Sequence, residues 1–321
     1  MHATPTQNSF FKNRRQALKK AAVFAPMLML PSRGFANTHQ TVTLLHTNDT
    51  HSRMEPFTGG PFKGRAGVAR RMTLIERVRK ESPISYLFDA GDTFQGTPWF
   101  NAFKGSVDIQ VMKALGYDAT AIGNHDFDAG ADTLSENLKL YPQLCAVAAN
   151  FTIGAQSELA GRVLPNAIFE KAALTGAKGP KVGVFGLGVK FDGLVHPKLH
   201  PHIGWRDPIE VANEQVSLLR EQGCKVIVAL SHLGYKGYSG ERGDTAWPTQ
   251  VKGVHYVVGG HSHTFLKKPK IVRHRSGWET HVMQVGHSGL NLGRADLRID
   301  PAGRIAFQKI RPLGIGGKAI V

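Results

Sequence analysis

Cysteine is nearly absent: Cys145 and Cys224 are the two in 321 residues, too few for a disulfide framework. Each stands beside an apolar run, Leu144–Ala149 and Val226–Leu230, and is expected as a buried free thiol, a single disulfide being the alternative. Long hydrophobic runs are missing too. Ala21–Leu30 is about half of what a spanning helix needs, and no later segment reads as transmembrane, so stable membrane insertion is not expected. Acid is scarce, with 24 Asp and Glu against 40 Lys and Arg. Residues 1–36 hold six of those bases and no acid, which leaves the body with 34 against 24, a surplus of +10. Such a surplus favours anionic partners, phosphate esters among them, without choosing one. No Lys/Arg run is interleaved with aromatics, so nucleic acid is not expected. Internal repeats and low-complexity linkers are also missing. What remains is a chain 41% hydrophobic and 8% aromatic, long enough for one large domain or two small ones.

The first 36 residues read as an export signal. Asn13-Arg-Arg-Gln-Ala-Leu-Lys19 resembles the twin-arginine consensus, Ala21–Leu30 makes a short apolar core, and Gly34-Phe-Ala36 supplies small residues before a cleavage point. This implies the twin-arginine export machinery as a partner, a periplasmic destination, and residues 37–321 as the working domain.

Past the leader, apolar strands alternate with helical patterns, the signature of an α/β protein. Strands are expected at 41–47, 85–90, 119–122, 181–187, 225–230 and 256–259, and helices at 68–80, 106–115, 133–141 and 209–222. In the first helix Val68, Met72, Ile75 and Val78 form the packing face and the arginines a solvated one; in the last, Val211, Val216, Leu218 and Leu219 pack. Residues 151–174 alternate weakly and suit edge strands. The end of the chain reads as strand and turn, with Ser276-Gly277 and Ala302-Gly303 as hairpin turns.

Polar clusters stand at the carboxyl ends of these strands, where open α/β sheets place their sites. Asp49 and His51 follow the first; on an extended backbone they point to one side and can share a metal. Asp92 follows the second in Gly91-Asp-Thr-Phe-Gln-Gly96. The third delivers Ala121-Ile-Gly-Asn-His-Asp-Phe-Asp128, in which Asn124 can offer a metal its carbonyl oxygen. His125 can stand beside that metal without binding it, and Asp128 can hold one of its ring nitrogens so that the other faces a substrate as a proton donor. Further on, His232 ends one strand and His261 and His263 follow another. Taken singly, each cluster reads as a turn, a cap or a satisfied histidine. Together they offer hard oxygen and imidazole ligands that suit Mn, Fe, Co or Zn, in a number that suggests two ions with Asp92 as a possible bridge. His46, His255, His274, His281 and His287 are read as structural or solvated.

Asp-x-His, Gly-Asp-x-x-x-Gly, Gly-Asn-His-Asp, a lone strand-end His and Gly-His-x-His, in that order over residues 41–310, resemble the calcineurin-like metallophosphoesterase superfamily. Leu45-His-Thr-Asn-Asp-Thr-His51 and Asp89-Ala-Gly-Asp-Thr-Phe-Gln-Gly96 resemble the catalytic domain of bacterial periplasmic 5′-nucleotidases. The resemblance implies a four-layer αββα sandwich with metals at the edge of its two mixed sheets. It implies one ion held by Asp49, His51, Asp92 and His263, and another by Asp92, Asn124, His232 and His261. A hydroxide bridging the two ions would be the nucleophile, His125 would assist the leaving oxygen, and Asp128 would orient it. His263 stands where several relatives carry Gln. Relatives of the two-domain kind continue into a second domain that binds the base and the phosphate; such a domain is not expected here. A phosphorylated small molecule, in particular a nucleotide, is the implied substrate. A phosphodiester, a nucleotide-sugar pyrophosphate, a sulfur ester, or a separate specificity chain completing the site are the alternatives.

Overall fold

The computed structural model describes residues 39–172, 176, 178–238, 240 and 242–321. The export signal expected at 1–36 lies outside the described residues. The first strand, β1 (Gln40–Thr47), is followed by α1 (Val68–Glu81), β2 (Ser85–Asp89), α2 (Pro98–Phe103), α3 (Ser106–Leu115) and β3 (Ala119–Ala121). Then come α4 (Ala131–Lys139), β4 (Cys145–Val147), β5 (Phe151–Ile153), β6 (Val163–Leu164), β7 (Asn166–Phe169), β8 (Val182–Gly188) and β9 (Ile203–Trp205). The remainder is α5 (Pro208–Glu221), β10 (Val226–His232), β11 (Tyr256–Gly259), β12 (Lys270–Arg273), β13 (Glu279–Met283), β14 (Asn291–Ile299) and β15 (Ile305–Gly314).

Two mixed sheets result. One has seven strands in the order β15-β14-β1-β2-β3-β4-β6, the other six in the order β12-β13-β11-β10-β8-β7, and β5 pairs with β9 apart from both. Strands β1 to β4 run parallel, as do β8, β10, β11 and β13. The β12–β13 and β14–β15 hairpins are antiparallel, around the turns expected at Ser276-Gly277 and Ala302-Gly303.

Alternation along the strands builds four layers. Val42, Leu44, Tyr86 and Phe88 point between the sheets and meet Val182, Val184, Val228, Leu230 and Val258. Their neighbours Leu45 and Leu87 point outward to α1, α3 and α4, while Phe185, Ile227 and Val257 point the other way to α5. Burial on both faces explains why these strands read as unbroken apolar runs. Helix ends are tied by specific bonds: Asp207 accepts from the amides of Ile209 and Glu210 at the start of α5. Arg79 of α1 donates to the carbonyls of Leu115 and Gly116, both at 2.7 Å, and closes α3.

Several expectations need correction. The buried residues of α1 are Arg71, Leu74, Ile75 and Val78; Met72 is 40% exposed, so the arginines are not all solvated. Leu218 is exposed as well; the buried face of α5 includes Val211, Ala212, Val216 and Leu219. Helix α2 was not anticipated. Both cysteines are free, but Cys145 is only half-buried. As expected, the weakly alternating stretch after Phe151 gives edge strands, β6 on one sheet and β7 on the other.

Candidate metal centre

The parallel strands of both sheets end on one side of the molecule. Beyond Thr47 the backbone leaves the extended region: Asp49 and His51 have φ of 50° and 48°, and so do not share a pleat as expected. Asp92, His261 and His263 also have positive φ, at 53°, 69° and 51°. Left-handed backbone at bulky residues costs of order 1–3 kcal/mol each and persists where surrounding bonds enforce it. Here those bonds are visible. The Asp49 amide donates to the Gly91 carbonyl at 2.9 Å, the His51 amide to the Asp92 carbonyl at 3.1 Å, and the Ser288 amide to the Asp49 carbonyl at 2.7 Å.

The side chains so aimed fall into two groups whose ligand atoms lie within 4.8 Å of one another: Asp49, His51 and His263, and Asp92, His232 and His261. Asn124 joins the second, its Oδ1 3.0 Å from His261 Nδ1. All seven residues expected to bind metal are therefore brought together. In the first group the Nε2 atoms of His51 and His263 face each other at 3.0 Å, and His263 Nε2 lies 3.4 Å from Asp49 Oδ1. In the second, His232 Nε2 is buried 3.0 Å from Asp92 Oδ2, without hydrogen-bond geometry. Carboxylate and imidazole lone pairs that converge on one point fit a cation.

Two of the remaining ring nitrogens are held by backbone, as is common for metal-ligating histidines. His232 Nδ1 donates to the Ala90 carbonyl at 2.6 Å and His51 Nδ1 to the Phe94 carbonyl at 3.1 Å. Burial, then the charge of His232, lowers the His261 imidazole to about 4, so it is a neutral ligand at ordinary pH. Burial also works against charge on His232, yet Asp92 beside it overrides this and pushes that imidazole up to about 10. Asp92, which burial alone would raise, is in turn held below the usual carboxylate range by His232. A proton on His232 thus answers the negative charge that a bound cation would answer more fully.

His125 belongs to neither group. Its Nδ1 is 2.8 Å from Asp128 Oδ2, and its ring centroid is 5.5 Å from that of His51. The hydrogen bond to Asp128 is the largest cause of its raised pKa. Its side chain is 37% exposed, so its other nitrogen is open to a substrate.

Three contributors were not singled out from the sequence. Asp126 is buried and accepts from four amides: Asp92 at 3.1 Å, Thr93 at 3.0 Å, Phe94 at 3.2 Å and Gly123 at 2.8 Å. It locks the Asp92 turn to the Asn124 turn. Asn48 donates to Asp49 Oδ2 at 2.6 Å and to the Gly286 carbonyl at 2.5 Å, and fixes the carboxylate from behind. His287, expected to be structural or solvated, packs its ring 5.0 Å from that of His263. Burial, followed by the charges of His263 and His51, lowers its imidazole to about 4. The one sequence signal for Asp126 is its place inside Gly-Asn-His-Asp; three of its four partners lie some thirty residues away, where no local pattern reports them.

Comparison with known proteins agrees with this geometry. Residues 42–265 match the calcineurin-like phosphoesterase family, and the chain belongs to that family. It is 37% identical over 231 residues to a 5′-nucleotidase of Diplobatis ommata, covering 70% of this chain and 38% of that protein. It is 32% identical over 292 residues to the snake venom 5′-nucleotidase of Gloydius brevicauda, covering 85% of this chain and 47% of that one. The structure of a 5′-nucleotidase precursor from Thermus thermophilus superposes with a TM-score of 0.76 at 34% identity, over 86% of this chain and 55% of the other. The chain thus spans about half the length of these relatives or less. The four-layer sandwich expected from the sequence is the fold this chain shares with the Thermus thermophilus structure.

Proposed function

We propose that this protein is an exported, two-metal phosphoester hydrolase, a phosphomonoesterase of the 5′-nucleotidase type. The observation that carries the reading is the pairing of two ligand groups with a histidine that joins neither. Asp49, His51 and His263 would hold one ion, and Asn124, His232 and His261 the other, with Asp92 shared between them. Mn, Fe, Co and Zn all suit this mixture of carboxylate, amide and imidazole ligands. Bound there, two such ions supply Lewis-acid polarisation of a phosphoryl oxygen and a nucleophile from water at neutral pH.

The chain's own residues supply the rest. Asp128 holds His125 Nδ1, which leaves Nε2 as the position from which a proton reaches the departing alkoxide. The carboxylate also stabilises the protonated ring, and that is the state a proton donor must start from. Neither residue is needed to hold metal, so their pairing favours catalysis over storage or scaffolding. The 5′-nucleotidase names of the relatives favour a nucleoside monophosphate as substrate. The twin-arginine pattern at residues 13–19 favours delivery to the periplasm; among the described residues no helix is long and apolar enough to cross a membrane.

The test is hydrolysis of p-nitrophenyl phosphate and a panel of nucleoside monophosphates, phosphodiesters, nucleotide sugars and sulfur esters by protein loaded with each metal. Monoesters should be cleaved fastest, and a chelator should abolish turnover. His125→Ala should lower kcat by about 10²–10⁴-fold with both metals retained by elemental analysis. Preference for a diester or a sulfur ester would move the protein to another branch of the fold, and loss of metal in His125→Ala would remove the role given to that residue.

A further inference from the structure

A second cavity, of about 640 Å³, opens at the opposite end of the sheets from the metal centre. It lies where β10, β11 and β13 begin, beneath the turn of the β14–β15 hairpin and beside the end of α5. The length of β10 separates the two sites by about 20 Å at ~3.3 Å per residue. Its volume is that of an ordinary small-molecule pocket.

Two kinds of group line it. Trp278 and Phe307 supply aromatic surface, each already paired with an imidazole: His255 at 4.9 Å from Trp278 and His281 at 4.3 Å from Phe307. Arg220, Lys225 and Arg304 supply positive charge, against one acid, Glu279, which Arg273 already holds at 2.7 Å. Burial lowers the pKa of both His255 and His281, so neither adds charge near neutral pH. Lys225 has no ion pair or hydrogen bond through its ammonium among the described residues. Arg304 is 84% exposed and paired with Asp300 at 2.6 Å, while Arg220 lies over Trp278 at 5.1 Å. His281 Nδ1 is buried with no hydrogen-bond partner. The end of α5 brings partial negative charge, but Lys181 already sits on the Gln222 carbonyl there at 3.2 Å. The balance is a pocket rich in π surface and cations and short of acceptors.

We propose that this cavity is a second, non-catalytic ligand site for a planar aromatic anion of the nucleoside-phosphate kind, its ring against Trp278 and Phe307 and its anionic group toward Lys225 and Arg304. Occupancy leaves the metal centre untouched, since none of the lining residues reaches it. The inference does not depend on what the metal centre hydrolyses.

Calorimetric titration of adenosine 5′-monophosphate into chelator-treated full-length protein tests it, because the metal centre is then disabled. One saturable site is expected. The double variant Lys225→Glu/Arg304→Glu should weaken binding tenfold or more, and Phe307→Ala should do so separately. Adenosine and ribose 5-phosphate, each lacking half of the ligand, should also bind at least tenfold more weakly. With metals restored, the double variant should hydrolyse p-nitrophenyl phosphate within about twofold of the parent, which shows that it is folded. No binding to chelated protein, binding indifferent to the two charge reversals, or adenosine binding as tightly as its phosphate would each overturn the proposal.

Discussion

Asp126 shows how one side chain sets the geometry of others. Its two oxygens take four amide hydrogens from two separate turns, and those turns carry Asp92 and Asn124. Burial pushes its carboxyl up to about 7, against the four donors, which favour the ionised form. Asp126→Ala leaves four buried donors without an acceptor. Unfolding in urea should then show a loss of about 3–5 kcal/mol; a loss below about 1 kcal/mol would mean that water replaces the carboxylate. Asp244 gives a pH-dependent counterpart. It is fully buried between β10 and β11, accepts from Ser231 Oγ at 2.5 Å and Trp247 Nε1 at 3.1 Å through Oδ1, and has no partner at Oδ2. Burial raises it to about 7. Below about pH 4 folded and unfolded chains both hold this proton; between 4 and 7 only the folded one does, so stability falls as pH rises through that window. Asp244→Asn removes the fall. The variant should exceed the parent by about 4 kcal/mol at pH 8 and match it near pH 4, as read from urea midpoints across pH. A gap that persists at pH 4 would assign the effect to packing.

At the scale of elements, the site is a meeting of strand ends so close that side chains are excluded between them. A Cβ on Gly123 would stand 2.2 Å from Asp92 Oδ1 and 2.8 Å from the His232 ring, and one on Gly91 would stand 2.6 Å from the Gly123 amide. Gly123→Ala should therefore push Asp92 and His232 apart. We expect elemental analysis to show at least one metal lost while the far-ultraviolet circular dichroism stays that of the parent; full metal content would show that the turn yields. The same crowding explains what the sequence disclosed and what it hid. Strands buried on both faces announce themselves by their apolar content, so β1, β2, β8, β10 and β11 were legible, and with them the positions of every metal-ligand candidate but Asn124, which follows the short β3. The turns beyond were not. Extended geometry was the natural expectation for Asp49 and His51, and only bonds to Gly91, Asp92 and Ser288, distant in sequence, force the left-handed backbone found there. Arg71 was misread for a related reason. Its buried guanidinium sits among Thr50, Thr93, Asp108 and Tyr117, residues from four other segments that no helical periodicity registers.

At the scale of the whole molecule, the metal centre is also a seam between the sheets. Asp49, His51, Asp92 and Asn124 follow strands of the seven-stranded sheet; His232, His261 and His263 end or follow strands of the other. Each ligand group draws on both. Without metal, the buried carboxylates of Asp49 and Asp92 stand on one side of the seam and the imidazoles of His232, His261 and His263 on the other, and elsewhere in the interior the sheets are joined by apolar packing and a few polar links such as His46 Nε2 to Tyr256 Oη at 3.0 Å. A bound ion adds bonds to both sides, so metal affinity becomes folding stability. At a free metal concentration a hundred times Kd, one ion adds about 2.7 kcal/mol, which for a domain of this size raises the midpoint of melting by roughly 4–5 °C. Calorimetric scans over a series of free metal concentrations should show the midpoint climbing with the logarithm of metal. His263→Ala should flatten the response, since it removes one sheet's contribution to the first group and leaves that ion held from one side. A midpoint indifferent to chelator in the parent would mean that the sheets close without the ions, and that the two ligand groups stand together without binding what their geometry fits.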